Sequence, residues 1–538
     1  MNRRTFLEIS LGLPALAAMV PACQPGKKIK GSIVGASSQI GHLLRSENPG
    51  RVTEWSDQNV VIVGGGVSGL SAAWYLKMNG ADFIVLDLEA ETGGNARSGR
   101  NELSAFPWGA HYIPTPNNNL REYLEFLETA GVLTGYDSQG LPVYNDAYLC
   151  FDPQERLYIN GRWQEGLIPQ YGVPEEEQKE ILRFLSHMES FRNQKGTDGK
   201  DAFAIPVDDS SKDDEWTRLD ALTMKAWLKQ NGYNSNYLHW YVNYCTRDDF
   251  GTCYDKVSAW VGIHYFAGRK GKGANASHGD VLTWPEGNHF LINKLQETFT
   301  AQLQTGALVT NVAIQGDQVA VAYYNVKEKR MMGIRCRQCI LATPQFVTSR
   351  LLQDPDRKTL VDQHLSYAPW VVANLKLQKP EERSGYPLSW DNVIYESEAL
   401  GYVEATHELL NQYQQKLNLT YYNPLTSKDA KDARREAAER SHEEWTKRIV
   451  DDLKKVHPDI EQVLEEVNIM VWGHAMAQPL LGLLCGSIRK RLQEPVSGRI
   501  HFAHTDLAGI SIFEEGFYQG LRAGKEVSQQ LQSGRERA

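Results

Sequence analysis

The fold of this chain follows from Asn59-Val60-Val61-Ile62-Val63-Gly64-Gly65-Gly66-Val67-Ser68-Gly69-Leu70-Ser71-Ala72-Ala73. An apolar run followed by G-x-G-x-x-G predicts a buried β-strand, a glycine turn and the start of a helix. Gly64 makes the tight turn, Gly66 lets backbone amides approach a pyrophosphate, and Gly69 lets the helix pack closely. The phosphates then lie at the positive end of the helix dipole. Together with Ser68, these glycines are the predicted phosphate-binding residues.

A second apolar strand favours the interpretation that the glycine turn binds a dinucleotide. The alternative is a glycine-rich turn without a ligand. Phe83-Ile84-Val85-Leu86 ends at Asp87, where an acidic side chain meets the ribose hydroxyls in such units. A further segment with Gly93, Gly94 and Arg97 follows at once. Its glycines permit close backbone approach, and the arginine is suited to neutralise phosphate.

The amino-terminal residues predict export. Asn2-Arg3-Arg4-Thr5-Phe6-Leu7 resembles a twin-arginine signal, and the apolar run over 9–20 is too short to span a bilayer. Val20-Pro21-Ala22-Cys23 resembles a lipoprotein cleavage box with Cys23 as the lipidated residue. We expect the twin-arginine export machinery as a partner. The expected location is the periplasmic or cell-surface side of the membrane, with or without a lipid anchor.

Composition limits the function further. The 538 residues suffice for two or three folding units, and a net charge of −9 argues against nucleic acid as a partner. The sequence Cys336-Arg337-Gln338-Cys339 resembles half of a zinc site. Residues three apart on a strand point to opposite faces, and no second pair follows. We therefore predict structural cysteines and no metal site.

Three separated blocks resemble the flavin-containing amine oxidase superfamily, and in particular its exported dehydrogenases of the spermidine dehydrogenase type. The blocks are residues 60–97, 308–344 and 499–524. The resemblance implies FAD as cofactor, with an adenine contact at Val309 and contacts to the ribityl chain and flavin ring at Asp506 and Glu515. A second nucleotide motif is not evident, so one site must hold the redox cofactor itself.

The resemblance also implies the fold class. We expect an α/β protein with an FAD-binding Rossmann-type domain, whose mainly parallel sheet is built from separated segments, and an α+β substrate domain. The predicted order is a signal peptide over 1–23, a tether over 24–57, an FAD-binding domain over 58–115, 280–345 and 465–538, and a substrate domain over 116–279 and 346–464.

Departures from the family pattern limit the chemistry. Asn95 follows the glycine pair where the family has arginine, and the strand over 368–375 lacks the lysine that many relatives place below the flavin. Gly473 stands where some relatives link the flavin through cysteine, so we expect non-covalent FAD. The aromatic cage of monoamine oxidases would fall on Phe513 and His474.

Candidate catalytic residues are His474, His111 and Phe513, and candidate substrate residues are Asp248, Trp260 and His264. A histidine titrates near neutrality and can act as a base toward an amine; a buried structural histidine is the competing interpretation of His474. Acids bind an ammonium and aromatic rings stack on it, although aromatic clusters more often form a core.

The implied reaction is hydride removal from a small substrate onto flavin N5, with an amine or polyamine as the expected substrate. Electrons would pass to oxygen or to a respiratory acceptor. Two alternatives stay open: a desaturase or oxidase of a hydrophobic non-amine substrate, and a flavin-binding redox partner without turnover.

Overall fold

The structure is a computed structural model that describes residues 29–35, 37–45, 50–409 and 415–536. The predicted signal peptide, including Cys23, lies outside the described residues. Within the described part of the chain, no helix is both long and apolar enough to cross a membrane.

The glycine turn lies at the end of the central strand of the first sheet. This strand, β2 (Trp55–Val63), runs parallel to β3 (Phe83–Leu86) on one side and to β15 (Arg330–Leu341) on the other. The last four residues of β2 are buried, as expected for a parallel strand covered on both faces. The other strands are β12 (Leu303–Gln304), β13 (Ala307–Gln315), β14 (Gln318–Asn325) and β21 (Ile500–Phe502).

Three distant segments of the chain build this sheet. The strand order is β12-β3-β2-β15-β14-β13, and β21 pairs with the end of β15. β12 and β21 are parallel to their neighbours, whereas β13, β14 and β15 form an antiparallel meander. The predicted α/β class, with a Rossmann-type domain assembled from separated segments, is confirmed.

The second sheet is mostly antiparallel and has the order β1-β20-β16-β19-β18-β17-β9-β10. Its strands are β1 (Ile33–Gly35), β9 (Glu155–Ile159), β10 (Arg162–Glu165), β16 (Tyr367–Gln378), β17 (Asp391–Ile394), β18 (Gly401–Glu404), β19 (Lys416–Pro424) and β20 (Leu464–Ala477). Three two-stranded ribbons pair β4 (Ser98–Arg100) with β5 (Ala105–Pro107), β6 (Tyr112–Pro114) with β11 (Val281–Thr283), and β7 (Leu133–Tyr136) with β8 (Pro142–Tyr144).

Helices cover both sheets. They are α1 (Ser38–Gly41), α2 (Val67–Met78), α3 (Arg121–Thr129), α4 (Glu175–Arg192), α5 (Asp214–Thr217), α6 (Met224–Gln230), α7 (Asn236–Phe250), α8 (Ala259–Ala267), α9 (His289–Gln296), α10 (Gln345–Leu351), α11 (Pro355–His364), α12 (Ala430–Glu439), α13 (His442–Leu453), α14 (Ile460–Val463), α15 (Ile488–Gln493) and α16 (Phe513–Glu536). Short 3₁₀ turns include Gly94–Ala96 and Thr505–Leu507.

The second sheet separates two cores, because successive side chains of a strand point to opposite faces. On β16, Trp370 and Val372 join the aromatic core that also contains residues of α4, α6, α7 and α8. Val371 and Ala373 instead pack with Trp445 and other residues of α13. The aromatic core lies on the side of the sheet that faces the first domain, since it also includes Phe106 and Trp108.

Two segments lie in a different part of the structure from the one that the predicted domain boundaries gave them. β20, assigned above to the FAD-binding domain, lies in the second sheet, where its residues pair with β16. Its buried Val467 and Ile469 share a core with α13, and this packing places the strand there. Ile33–Gly35 of the predicted tether also joins this sheet as a parallel partner of β20.

The cysteine pair on β15 also differs from expectation. Cys336 and Cys339 do not point to opposite faces: both are buried in one core cluster, and their thiols are hydrogen-bonded to each other. β15 changes its neighbour from β14 to β21 between the two residues, and the alternation of side chains breaks there.

Candidate cofactor and substrate site

The glycine turn has the steric features of a phosphate cradle. Gly64 has φ +107°, and a Cβ atom there would lie 2.6 Å from the carbonyl oxygen of Ala342. A Cβ on Gly69 would lie 1.8 Å from the carbonyl oxygen of Gly64. Around Gly66, by contrast, no atom lies within 4 Å of such a Cβ. Two glycines therefore close the turn and the third faces open space at the N-terminus of α2, which fits a bound pyrophosphate.

Asp87 is in place to complete this site. Its carboxylate accepts hydrogen bonds from the backbone nitrogen of Gly65 at 2.5 Å and from that of Glu89 at 2.7 Å. Burial raises the pKa of Asp87 to about 6. A carboxylate has more lone pairs than these two bonds use, so it can still accept from ribose hydroxyls.

The second glycine segment is bonded to the first. Gly93 and Gly94 both have positive φ, and the nitrogen of Gly93 donates to the carbonyl oxygen of Gly65 at 2.7 Å. Arg97 forms an ion pair with Glu89 at 3.1 Å and lies over the ring of Trp472. Its charge is thus shared with a carboxylate at the edge of the cradle.

The remaining predicted cofactor residues occupy three places around the first sheet. Val309 is buried on β13. Ser68 is buried in the first turn of α2. Glu515 is buried at the N-terminus of α16, where it accepts from the nitrogen of Val207 at 2.6 Å, and burial raises its pKa to about 8.

Asp506 is held by a ring of donors. It accepts from the nitrogen of Gln345 and from the hydroxyl of Tyr367, both at 2.7 Å, and lies 3.0 Å from Nδ1 of His504. Burial alone would raise its pKa, but His504 and these hydrogen bonds lower it below the ordinary value. The group is therefore a charged acceptor at the end of β21.

His474 is stacked on Phe346, with ring centroids 4.2 Å apart, and its Nε2 is bonded to Nη1 of Arg434. Burial and the neighbouring guanidinium lower its pKa to about 3. Its ring is thus neutral, and the arginine occupies the nitrogen that a base would use.

His111 and Phe513 lie in aromatic surroundings. The His111 ring stacks on Tyr422 at 4.5 Å, and burial lowers its pKa to about 4. Phe513 packs against Tyr123 with centroids 6.0 Å apart. Neither side chain carries a charge at neutral pH.

Residues 108–111, called the His111 passage below, are a segment of chain that lies between the two sheets. Nε1 of Trp472 on β20 donates to the carbonyl oxygen of Trp108 at 2.6 Å. The hydroxyl of Tyr422 on β19 donates to the carbonyl oxygen of Gly109 at 3.1 Å. On the other side, the nitrogen of Ala110 donates to the carbonyl oxygen of Asn95 at 3.0 Å. The glycine segments and the second sheet are thereby held around one space.

Trp260 and His264, predicted to contact substrate, stack on each other within α8 at 5.1 Å and are buried. Nε2 of His264 is bonded to the carbonyl oxygen of Ala204 at 2.9 Å, and burial lowers its pKa to about 4. These contacts are typical of core packing that fixes α8 to the segment between α4 and α5.

Asp248 has a different environment. It lies near the end of α7, and burial together with Asp249 raises its pKa to about 7. Burial and the charge of Asp248 raise the pKa of Asp391, at the start of β17, well above its ordinary value. Arg269 pairs with Asp249 at 3.4 Å and with Glu514 at 3.6 Å. Arg269 and Arg247 also lower the pKa of Asp248 from a distance, but neither forms an ion pair with it.

Aromatic rings surround the two acids, and this set is called the acid pocket below. Asp248 and Asp391 both raise the pKa values of Tyr112, Tyr244 and Tyr422, after burial. The set is completed by two further rings, His111 and Trp390, whose centroids are 5.5 Å apart.

The acid pocket lies largely away from solvent. Asp248, Asp391, Tyr112 and His111 are each half-buried, and burial is the main cause of the pKa shift of each. Asp391 was missed in the sequence, where an acid before the short apolar strand Asn392-Val393-Ile394 is the only local signal.

Comparison with known proteins matches this architecture. Residues 62–127 match the model of the NAD(P)-binding Rossmann-like domain. An L-amino-acid oxidase from Sistrurus catenatus edwardsii is 40% identical over 83 residues, 15% of this chain and 14% of that protein. A flavin-containing amine oxidase from Oncorhynchus mykiss is 40% identical over 65 residues, 12% of each. The matched region thus spans well under a fifth of these curated relatives.

Solved structures match over most of the chain. Putrescine oxidase bound to putrescine superposes with a TM-score of 0.65 and 16% identity, covering 88% of this chain and 100% of that one. Cyclohexylamine oxidase from Brevibacterium oxydans IH-35A superposes with a TM-score of 0.61 and 15% identity, covering 89% of this chain and 100% of that one. The chain shares the fold of these flavin-containing amine oxidases over most of its length. A fatty acid isomerase from P. acnes shares the fold as well, with a TM-score of 0.61 and 14% identity, covering 88% of this chain and 98% of that one. The fold therefore does not determine the substrate.

The similarity to flavin-containing amine oxidases, together with the Rossmann-like match over residues 62–127, supports FAD as the cofactor and an oxidoreductase as the class of protein. The glycine turn, Asp87 and Asp506 would hold it: the open space at Gly66 would accommodate the pyrophosphate, and the two acids would accept from hydroxyl groups. When bound, FAD supplies the hydride acceptor.

Proposed function

We propose that the protein is an exported FAD-dependent oxidoreductase that oxidises small amines carrying a second cationic group, such as diamines and polyamines. The acid pocket carries this proposal. Two enclosed carboxyl groups, Asp248 and Asp391, have no arginine or lysine bonded to them among the described residues. A buried carboxylate is costly without a cation, and an ammonium ion would supply one.

The aromatic rings of the acid pocket favour the same ligand. Tyr112 and Tyr422 lie close enough to both acids for the carboxyl charges to raise their pKa values, and Tyr112 packs edge-on against Trp390; such rings attract ammonium groups. One ammonium held by Asp248 and Asp391 would leave the other end of the chain to reach the space beside His111.

The residues of this chain would then orient the substrate and move a proton. The carboxyl group of Asp248, whose pKa is raised to about 7, is suited to exchange a proton with an incoming ammonium at neutral pH. His111 and Phe513 would form apolar walls that exclude water from the reacting carbon. The hydrogen bond from Tyr422 to Gly109 would fix the His111 passage.

Two alternatives remain less well supported. A desaturase or oxidase of a hydrophobic substrate would leave both acids unpaired in an enclosed site. A redox partner without turnover would need no internal acid pocket. Export by the twin-arginine route, lipidation at Cys23 and electron transfer to oxygen or a respiratory acceptor belong to the same proposal, and residues 2–7 and 20–23 support the first two.

The test is an anaerobic titration of the flavin spectrum with mono-, di- and polyamines of matched chain length. Bleaching by diamines or polyamines at concentrations at least tenfold below the matched monoamine supports the proposal. Asp391→Asn should remove this preference, whereas Asp317→Asn, in an exposed turn, should not. A flavin that no amine bleaches, or equal response to monoamines and diamines, would contradict the proposal.

A further inference from the structure

A second cluster of side chains lies apart from the glycine turn and the acid pocket. It contains Cys150, His407 and Glu408, and their ligand atoms all lie within 4.8 Å of one another. All three side chains are half-buried. The three residues come from two distant parts of the chain: Cys150 precedes β9, whereas His407 and Glu408 follow β18. This separation explains why no motif in the sequence indicated a metal site.

Glu408 has an unusual environment for a carboxylate. Both of its oxygens are shielded from solvent, and the donors beside them are the thiol of Cys150 and the backbone nitrogen of Phe151. The same thiol lies 3.7 Å from the carbonyl oxygen of Phe151. No arginine or lysine among the described residues pairs with this shielded carboxylate, so a bound cation would stabilise its charged form.

His407 is oriented as metal-binding histidines are. Its Nε2 is bonded to the carbonyl oxygen of Phe151 at 2.9 Å, so this nitrogen carries the proton. Nδ1 lies 3.6 Å from Oε2 of Glu404 and pairs with it; in the neutral ring this nitrogen carries the lone pair that a metal ion would bind. A backbone carbonyl that fixes the tautomer in this way is the usual support of a ligating imidazole.

We propose that Cys150, His407 and Glu408 bind a divalent ion of the zinc type, with Glu404 as the fourth ligand. One sulfur, one nitrogen and carboxylate oxygens suit zinc, whereas calcium and magnesium prefer oxygen ligands alone. Bonds of about 2.0–2.3 Å require the ligand atoms to move slightly closer than they lie now. On binding, the Cys150 thiol releases its proton to solvent and the thiolate coordinates the ion.

The bound ion would fasten two walls of the acid pocket to each other. The nitrogen of Cys150 donates to the carbonyl oxygen of Val281 at 3.0 Å, and β11, which contains Val281, pairs with the strand of Tyr112. On the other side, the nitrogen of Glu404 donates to the carbonyl oxygen of Trp390 at 2.8 Å. The site is therefore structural, outside the reacting centre, and does not depend on the proposed substrate.

The test uses the flavin-loaded protein after removal of metal with a chelator. Titration with Zn²⁺ should give one ion per chain and a higher Tm, and Ca²⁺ should give neither. Co²⁺ should give an intense thiolate charge-transfer band with tetrahedral visible bands. Cys150→Ser should abolish the charge-transfer band, and His407→Ala and Glu408→Gln should lose stoichiometric zinc binding.

Cys485→Ser is the matched control, because Cys485 is exposed and lies away from the cluster. It should retain the zinc stoichiometry and the cobalt spectrum. The conservative Glu408→Gln variant and the flavin spectrum of each variant separate loss of the site from loss of folding. Wild-type protein that binds no zinc, or zinc binding that survives in folded Cys150→Ser and Glu408→Gln proteins, would overturn the assignment.

Discussion

The hydroxyl of Tyr422 donates a hydrogen bond to the carbonyl oxygen of Gly109 at 3.1 Å, while its ring stacks on His111 two residues further along. One side chain of the second sheet thus fixes both the backbone and a ring of the His111 passage, which lies between the two sheets. The relationship links the geometry of the acid pocket to the proposed position of the flavin.

Tyr422→Phe removes the hydrogen bond and keeps the ring. We expect a loss of about 1 kcal/mol in the free energy of unfolding, since a buried carbonyl loses its donor. The rate of flavin reduction should fall more than the affinity for amine, because positioning is affected and charge is not. Denaturant unfolding and stopped-flow reduction measure the two effects. Tyr136→Phe, on an exposed side chain, is the control, and equal effects in both variants would refute the role of Tyr422.

The glycines of the turn should respond differently to alanine. Gly69→Ala places a methyl group against the carbonyl oxygen of Gly64 and should disrupt folding of the first domain. Gly66→Ala meets no protein atom, so the chain should fold normally and lose bound flavin, since the methyl group enters the space for the pyrophosphate. Flavin content per chain and circular dichroism distinguish the two. A Gly66→Ala protein with full flavin content would exclude this cradle.

Glu515 should make stability depend on pH. Its pKa in the folded protein is about 8, above the ordinary value of 4.5, so the folded state binds more protons between these values than the unfolded state. The contribution of Glu515 to the free energy of unfolding is therefore greatest below about pH 4.5. This contribution is lost as the pH rises toward 8. The slope is at most about 1.4 kcal/mol per pH unit for one group. Glu515→Gln should flatten this part of the curve in denaturant titrations at pH 5 to 8, and an unchanged slope would contradict the expectation.

His474 should not act as a base. Its Nε2 already accepts from Arg434 and its pKa is lowered to about 3. His474→Gln, which can also accept from the guanidinium, should therefore leave the pH profile of flavin reduction unchanged between pH 6 and 9. Loss of an ionisation from that profile in the variant would restore His474 as a catalytic residue. Asp317→Asn provides the unaffected reference.

The sequence predicted those parts of the site that are local in the chain. Gly64, Gly66, Gly69 and Asp87 lie within one strand-helix-strand unit, whose spacing alone determines their geometry. Asp391 could not be found in this way, since its proximity to Asp248 depends on how β17 packs against α7. The role of His474 was equally hidden, because nothing near it in sequence indicates that Arg434 of α12 occupies its nitrogen.

The fold could likewise be predicted only where it depends on local sequence. Alternating and apolar runs identified the strands around residues 308–344, whereas the assignment of β20 depended on its neighbour in the sheet. The cluster of Cys150, His407 and Glu408 combines residues from both segments of the predicted substrate domain. Only the folded chain brings these side chains together.

The short strand β1 covers part of the border of the second sheet. Residues 33–35 pair with Ile469, Met470 and Val471 of β20, a strand of 14 residues. Without them, β20 would offer unpaired backbone groups beside apolar side chains, which is a template for pairing with another molecule. Proteolysis after residue 35 would therefore turn a covered strand into an open edge, at which we expect aggregation to begin.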